Sequence, residues 1–370
     1  MYRADIRLVI GTRPEAIQLG PVAQALDARG LHPSLILTGQ HPQLDLAGCG
    51  LDRFPSFSLG CEGQADPHKY VEQVFDALFP FLRRRPDLVI VQGDTSSALA
   101  GAMAAVAARV PLAHVEAGLR SHDLQQPWPE EEYRRRIDAE ADLLFAPTEG
   151  AAQNLRREHV PGDIHVTGNS GVDALIAVER RLPASTLREA GQFKLLVTCH
   201  RRENWGEGLN SLADALRRVA AHADIRIDFV LHPNPEIAAR IQALIGDLDN
   251  VRFSLPCTHA EQVAKMRNSD LILSDSGGMQ EEAPALGVPL LVLRNTTERP
   301  EGVASGNCRL VGLHAEQIAS AVLELRNDPV ALARMGRRQF PFGDGTAART
   351  IATIIDDWLS VRSGSHLLAG

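Results

Sequence analysis

The sequence predicts an α/β fold of two doubly wound domains, each a parallel sheet covered by helices on both faces, with a cleft between them. Three observations carry that prediction. Short β-branched or Leu-rich runs recur with room for a helix between successive runs. The runs are near-continuously apolar rather than alternating, which is the pattern of strands buried on both faces. Twelve such runs exceed the usual size of one sheet, and 370 residues accommodate two domains at roughly 100–200 residues each.

In the first half, strands are predicted at Arg7–Ile10, Leu35–Thr38, Leu88–Gln92, Leu112–Val115, Leu143–Ala146 and Ile164–Val166. Helical patterns lie between them at Ile17–Arg29, Ser96–Arg109 and Glu132–Ala141. In the second half, strands fit Lys194–Thr198, Ile227–Leu231, Val251–Ser254, Leu271–Ser274, Leu290–Leu293 and Cys308–Val311. Helices there fit Leu209–His222, Glu236–Leu244, Ala260–Asn268, Met279–Leu286 and Ala315–Arg326. The strand rhythm lapses between Thr167 and Phe193, so an N-terminal domain of 1–168 and a C-terminal domain of 169–346 are expected. A last helix, Ala347–Val361, follows the turn-forming Pro341–Gly345, and 347–370 is expected to pack back on the N-terminal domain.

Composition narrows the class of function. With 38 basic and 46 acidic side chains the formal net charge is -8, which argues against bulk nucleic-acid binding while leaving room for a local phosphate site. The apolar share of 44% and charged share of 23% are those of a globular chain. The longest purely apolar run, Ala98–Ala108, is far shorter than the ~20 residues of a membrane span. No signal peptide is visible at Met1–Arg7, and five cysteines without a CxxC pair suit a reducing compartment. The expectation is a soluble cytoplasmic protein with no nucleic-acid or membrane partner.

In open α/β sheets ligands bind outside the carboxyl ends of the strands, and the distinctive residues fall there. After the first strand comes Gly11-Thr12-Arg13-Pro14-Glu15, where Thr12 and Glu15 fit a capping box and Arg13 adds a cation to a helix start that favours anions. Gln92-Gly93-Asp94-Thr95-Ser96 follows another strand, and Asp94 fits either an N-cap or an acid–base group with a shifted pKa. His114-Val115-Glu116-Ala117-Gly118-Leu119-Arg120 sets Glu116 among small residues that admit a ligand; pairing of Glu116 with Arg120 is the structural alternative. Trp128-Pro129-Glu130-Glu131-Glu132-Tyr133-Arg134 opens a helix with three acids, with Glu130 and Arg134 spaced as an i,i+4 pair.

In the second half, His200-Arg201-Arg202-Glu203-Asn204 gathers donors suited to a diphosphate, and His232 stands at the next strand end. Ser274-Asp275-Ser276-Gly277-Gly278 turns into a helix with backbone N–H groups facing outward, and Glu282 lies one turn on as an acceptor for ribose hydroxyls. A polar loop, Arg294–Glu301, follows the next strand and contains Arg299. No GxGxxG follows any strand, no GxSxG elbow is present, and the histidines and cysteines lack metal-ligand spacing, so no metal is expected.

Together these segments resemble the non-hydrolysing UDP-N-acetylglucosamine 2-epimerase family. GTRPEAI, QGDTSS, HVEAGLRS, WPEEEYRR, HRREN, SDSGGMQEEAPALG and TTERPEG occur in the family's order, from about residue 5 to about residue 355. The resemblance implies two Rossmann-like domains of glycosyltransferase-B type, a homodimer, a UDP-sugar substrate and no cofactor. It implies interconversion of UDP-GlcNAc and UDP-ManNAc by loss of UDP to a 2-acetamidoglucal and its re-addition. By motif position Asp94, Glu116 and Glu130 correspond to the catalytic acids and His200 to a functional histidine. Arg13, Arg134, Ser276, Gly277, Gly278, Glu282 and Arg299 correspond to substrate and UDP contacts, and Gln40, Gln43 and His232 to an allosteric UDP-GlcNAc site.

Four positions depart from the family pattern. Gln18 stands where a lysine is usual, Tyr133 where asparagine is usual, Gln262 where an aromatic residue is expected, and Gln73 where the allosteric site has an arginine. These bear on rate, allostery and the exact sugar rather than on the reaction class. An epimerase or hydrolysing epimerase for a modified UDP-HexNAc, a non-catalytic nucleotide-sugar sensor, and a glycosyltransferase of the same fold are the other readings.

Overall fold

The computed structural model describes residues 4–183, 191–201 and 204–368. The chain divides into two compact units, one of Met1–Ile176 with Phe342–Gly370 and the other of Ala177–Pro341.

The first unit opens with β1 (Ile6–Ile10), whose Ile6, Leu8, Val9 and Ile10 are all buried, as a strand covered on both faces requires. Helix α1 (Arg13–Ala28) starts four residues earlier than predicted, because Thr12 and Glu15 form the capping box at its head and Pro14 sits in its first turn. There follow β2 (Ser34–Leu37), β3 (Ser56–Ser58), α2 (Pro67–Leu82), β4 (Leu88–Gln92), α3 (Ser96–Ala108) and β5 (Leu112–Val115). The unit continues through α4 (Glu130–Glu140), β6 (Leu143–Ala146), α5 (Glu149–Arg157), β7 (Asp163–Val166) and α6 (Ser170–Glu179). Among the described residues its strands form one seven-stranded parallel sheet in the order β3-β2-β1-β4-β5-β6-β7.

The second unit contains β8 (Phe193–Thr198), α7 (Glu207–Ala220), β9 (Ile225–Val230), α8 (Pro235–Ile245), β10 (Val251–Ser254), α9 (His259–Arg267) and β11 (Leu271–Ser274). It ends with α10 (Gly277–Leu286), β12 (Leu290–Val292), α11 (Pro300–Ala304), β13 (Cys308–Leu310), α12 (Ala315–Asn327) and α13 (Pro329–Met335). Its described strands form a six-stranded parallel sheet, β10-β9-β8-β11-β12-β13. Leu195, Val197, Ile227, Phe229, Leu271 and Leu273 of that sheet pack with Leu216, Ile318 and Val322 of α7 and α12.

The two parallel sheets are the doubly wound architecture predicted. In each, strand order reverses beside the first strand, between β1 and β4 and between β8 and β11, and such a switch point leaves a crevice at the carboxyl ends. The chain returns to the first unit in α14 (Ala347–Leu368), whose Ile351, Ala352 and Ile355 share a core with Leu19, Val22 and Leu26 of α1 and with Ile6 and Leu8 of β1. Asp173 caps this helix by accepting from the backbone N–H of Ala347 (3.3 Å) and Ala348 (3.0 Å), and burial pushes its carboxyl up to about 6. Among the described residues no helix is long and apolar enough to cross a membrane.

Candidate active site

The switch point of the first unit is built from the ends of β1, β4 and β5. Gln92 of β4 pairs with Val115 of β5, so Asp94 and Glu116 leave the sheet side by side in sequence register. Gly11, the first residue past β1, is pressed against the Ser97 and Thr38 hydroxyls, leaving no room for a Cβ. Glu15 is fully buried beneath this edge. Its Oε2 accepts from the N–H groups of Gly11 and Thr12, both at 2.6 Å, and its Oε1 accepts from the Thr95 hydroxyl at 2.5 Å. Burial pushes the Glu15 carboxyl up to about 7 in spite of those donors.

Asp94 is not the cap of α3; Thr95 is, accepting from the N–H of Ala98 at 3.0 Å. The Asp94 carboxylate instead receives Arg134 of α4 through Nε (3.0 Å) and Nη2. The third guanidinium nitrogen donates to Glu131 at 3.0 Å, and buried Glu131 in turn accepts from the N–H of Ser121 at 2.9 Å. Glu130, the first residue of α4, is half-buried next to this pair. Arg13 heads α1 and donates its backbone N–H to His41 Nδ1 at 3.2 Å.

Glu116 is buried and held at φ 71°, a left-handed conformation rare for a residue with a Cβ and common at functional sites. Its Oε2 accepts from the side-chain amides of Gln18, of Gln92 at 2.8 Å, and of Asn169 at 3.4 Å. The alternative partner, Arg120, is engaged elsewhere: it pairs with Asp138 at 2.8 Å and Glu158 at 2.6 Å. Asp138 also meets His114 Nδ1 at 2.6 Å, while His114 Nε2 donates to the carbonyl of Gly93 at 2.8 Å. Burial opposes charge on Asp138, yet His114 and Arg120 hold its carboxyl below the usual carboxylate range. Through the His114–Gly93 contact this polar chain fixes the turn that carries Asp94.

In the second unit, buried Asp275 past β11 organises that unit's own strand ends. It accepts from the N–H groups of His200 (2.9 Å) and Arg201 (2.9 Å) and from the Asn204 amide (2.8 Å). The loop after β8 is thereby pinned with its histidine and arginine at the switch point; Arg202 and Glu203 lie outside the described residues. The His200 and His232 rings lie 5.5 Å apart, and burial together with His200 pushes His232 down from the usual histidine range. Ser276 is the N-cap residue of α10, and Gly277 and Gly278 follow in its first turn. Arg299 packs against Gly277 so closely that a Cβ there would meet its Nη1 at 2.8 Å. Arg299 is tied to Glu281 at 2.6 Å and to Glu298. Glu298 also receives Arg294 at 2.7 Å and Arg201 at 3.4 Å; burial opposes its charge, but Arg299, Arg294 and Arg201 hold it well below the usual range. Glu282 pairs with His259 Nε2 at 2.9 Å.

The first unit thus brings Arg13, Asp94, Glu116, Glu130 and Arg134 to one sheet edge, with Gln40 beside them, its Oε1 accepting from the Ser97 hydroxyl (2.7 Å) and the Ser97 N–H (3.3 Å). Gln43 is exposed on the loop after β2. The second unit gathers His200, His232, Ser276, Gly277, Gly278, Glu282 and Arg299 about its own switch point. Sequence reasoning missed Gln18 and Gln92 as Glu116 partners, and missed Asn169, Asp138, Asp275 and Glu298 as members of the two clusters. Asp275 and Gln92 sat inside the strand-end segments; Asn169 had as its signal the turn Thr167-Gly168-Asn169 directly after β7.

Comparison with known proteins identifies the family. A family model described as UDP-N-acetylglucosamine 2-epimerase matches residues 24–356. The UDP-N-acetylglucosamine 2-epimerase of Salmonella typhimurium is 38% identical over 360 residues, covering 93% of this chain and 96% of that one. The crystal structure of the Neisseria meningitidis UDP-GlcNAc 2-epimerase bound to UDP-GlcNAc superposes with a TM-score of 0.90 at 34% identity, over 95% of this chain and 100% of that chain. The Methanocaldococcus jannaschii UDP-GlcNAc 2-epimerase in complex with UDP-GlcNAc and UDP gives a TM-score of 0.84 at 32% identity, over 95% of this chain and 99% of that one.

Proposed function

Because the chain belongs to the UDP-N-acetylglucosamine 2-epimerase family, we propose that it is an enzyme interconverting UDP-GlcNAc and UDP-ManNAc. The observation that carries this reading is the convergence of acids on one sheet edge: Asp94 after β4, Glu116 after β5, and Glu130 opening the helix whose Arg134 grips Asp94. Such a cluster suits proton transfer at a carbon flanked by a leaving group.

In the proposed reaction a carboxylate takes the C2 proton, the electron pair forms the C1=C2 bond, and the C1–O bond breaks with its pair on UDP. The products held are 2-acetamidoglucal and UDP. Return of the UDP oxygen to C1 and of a proton to the other face of C2 gives the epimer, with atoms and charge conserved. The leaving diphosphate needs cationic and N–H donors, and His200, Arg13, the head of α10 at Ser276-Gly277-Gly278, and Arg299 supply that chemistry. Glu282, oriented by His259, suits ribose hydroxyls. No cofactor takes part in this scheme.

The proposal extends to a cytoplasmic homodimer. An apolar recess of about 430 Å³ on α2, α3 and α4, lined by Phe75, Leu99, Met103 and Val106, supports a second copy as its occupant. Gln40, Gln43 and His232 are proposed as the allosteric UDP-GlcNAc contacts. The functional reading is tested by incubation with UDP-GlcNAc in deuterated water: deuterium enters C2 and UDP-ManNAc accumulates. Unlabelled substrate after long incubation overturns it, and free ManNAc with UDP favours a hydrolysing relative.

A further inference from the structure

Gln18 makes one contact and lacks another. Its Nε2 donates to Glu116 Oε2. A carboxylate oxygen only accepts, so the amide must present its nitrogen to Glu116 and turn its oxygen away. That oxygen, Gln18 Oε1, is buried and has no hydrogen-bond partner among the described residues. Buried amide oxygens are almost always satisfied, and one left open beside a strained strand-end carboxylate signals a partner that arrives with the ligand.

From this geometry we infer that Gln18 is a specificity-determining residue that accepts a hydrogen bond from a donor on the substituent next to the reacting carbon, while its other end positions Glu116. The inference rests on the reading of Glu116 as a carboxylate acting beside C2. On that reading the nearest donor in the substrate is the N–H of the 2-acetamido group. Gln92 and Asn169 also donate their side-chain amides to the Glu116 carboxylate. Gln18 couples the two tasks: the ligand donor that orders its oxygen also orders the nitrogen that holds Glu116.

The test separates the two ends of the amide. Gln18→Met removes donor and acceptor at nearly constant shape; Gln18→Lys restores a donor for Glu116 without an acceptor. Binding of UDP-GlcNAc and of UDP-2-deoxyglucose, which has no donor at C2, is measured by calorimetry for wild type and both variants, with UDP as control. The preference for UDP-GlcNAc falls on the order of 10-fold in both variants, the scale of one hydrogen bond, while UDP affinity holds. Turnover followed by C2 deuterium exchange drops in Gln18→Met and recovers in Gln18→Lys. An unchanged preference in both variants overturns the acceptor role, and wild-type turnover in Gln18→Met overturns the positioning role. Absence of C2 exchange in the wild type overturns the epimerase reading instead, and the binding comparison still decides the acceptor role.

Discussion

Arg134 grips Asp94 through two guanidinium nitrogens on a single carboxylate oxygen, Nε at 3.0 Å and Nη2 alongside it, while its Nη1 reaches Glu131 at 3.0 Å. One helix side chain thus sets the direction in which an acid leaves the sheet. Asp94→Asn and Glu116→Gln are each expected to lower turnover by orders of magnitude, with circular dichroism and the unfolding midpoint close to wild type. Near-normal rates in both would refute the carboxylate assignment.

Glu15 predicts a pH dependence of stability. Its carboxyl titrates near 7 in the fold against an ordinary value of 4.5, so between those values the native state keeps a proton that the unfolded chain has lost. Stability contributed by this group is therefore full below about 4.5 and is lost as pH rises through about 7. Glu15→Gln retains an acceptor for Gly11 and Thr12 and removes the titration. Denaturant titrations across that range should show a shallower decline for the variant; parallel curves would sink the idea.

His114, Asp138, Arg120 and Glu158 form a linked polar chain in which His114 and Asp138 are fully buried and Glu158 reaches the surface. Asp138→Ala removes the fully buried carboxylate that His114 and Arg120 share, and should cost about 3–5 kcal/mol of stability. Urea unfolding measures this directly, and a loss well under about 1 kcal/mol speaks against a satisfied ionic core.

The apolar recess between α2, α3 and α4 includes Val106, which is 40% exposed. A charge there should be neutral for a monomer but costly in an interface between two copies. Sedimentation of Val106→Glu is expected to report a monomer where the wild type reports a dimer; a dimer of unchanged affinity would move the interface elsewhere.

Much of the architecture was legible in local pattern. The strands predicted at Leu88–Gln92, Leu112–Val115 and Leu143–Ala146 coincide with β4, β5 and β6, because strands covered on both faces must be apolar throughout. β3 escaped prediction because Ser56–Ser58 is an edge strand with all three residues exposed, so burial imposes no pattern on it. α2 escaped although Asp66 and Pro67 mark its start, since Pro80 lies inside it and blurs the end. Asp94 and Glu116 were readable from position, as each lies within two residues of a strand end, and Glu130 from its place at a helix start. Their partners were not: the amides on Glu116 come from positions 98, 24 and 53 residues away, and only the folded sheet gathers them. Local spacing favoured Arg120 for Glu116, and buried Asp138 together with Glu158 took that arginine instead.

The return of α14 to the first unit bears on the order in which the chain is born. Residues 177–341 form a self-contained insertion in the sequence of the first unit, so synthesis completes the second unit while the first still lacks its last helix. Until Ile351 and Ile355 leave the ribosome, the face of α1 bearing Leu19, Val22 and Leu26 stays uncovered. A nascent chain stalled before residue 347 should therefore hold a protease-resistant second unit and a chaperone-binding first one. The N-terminal unit is the last to be finished.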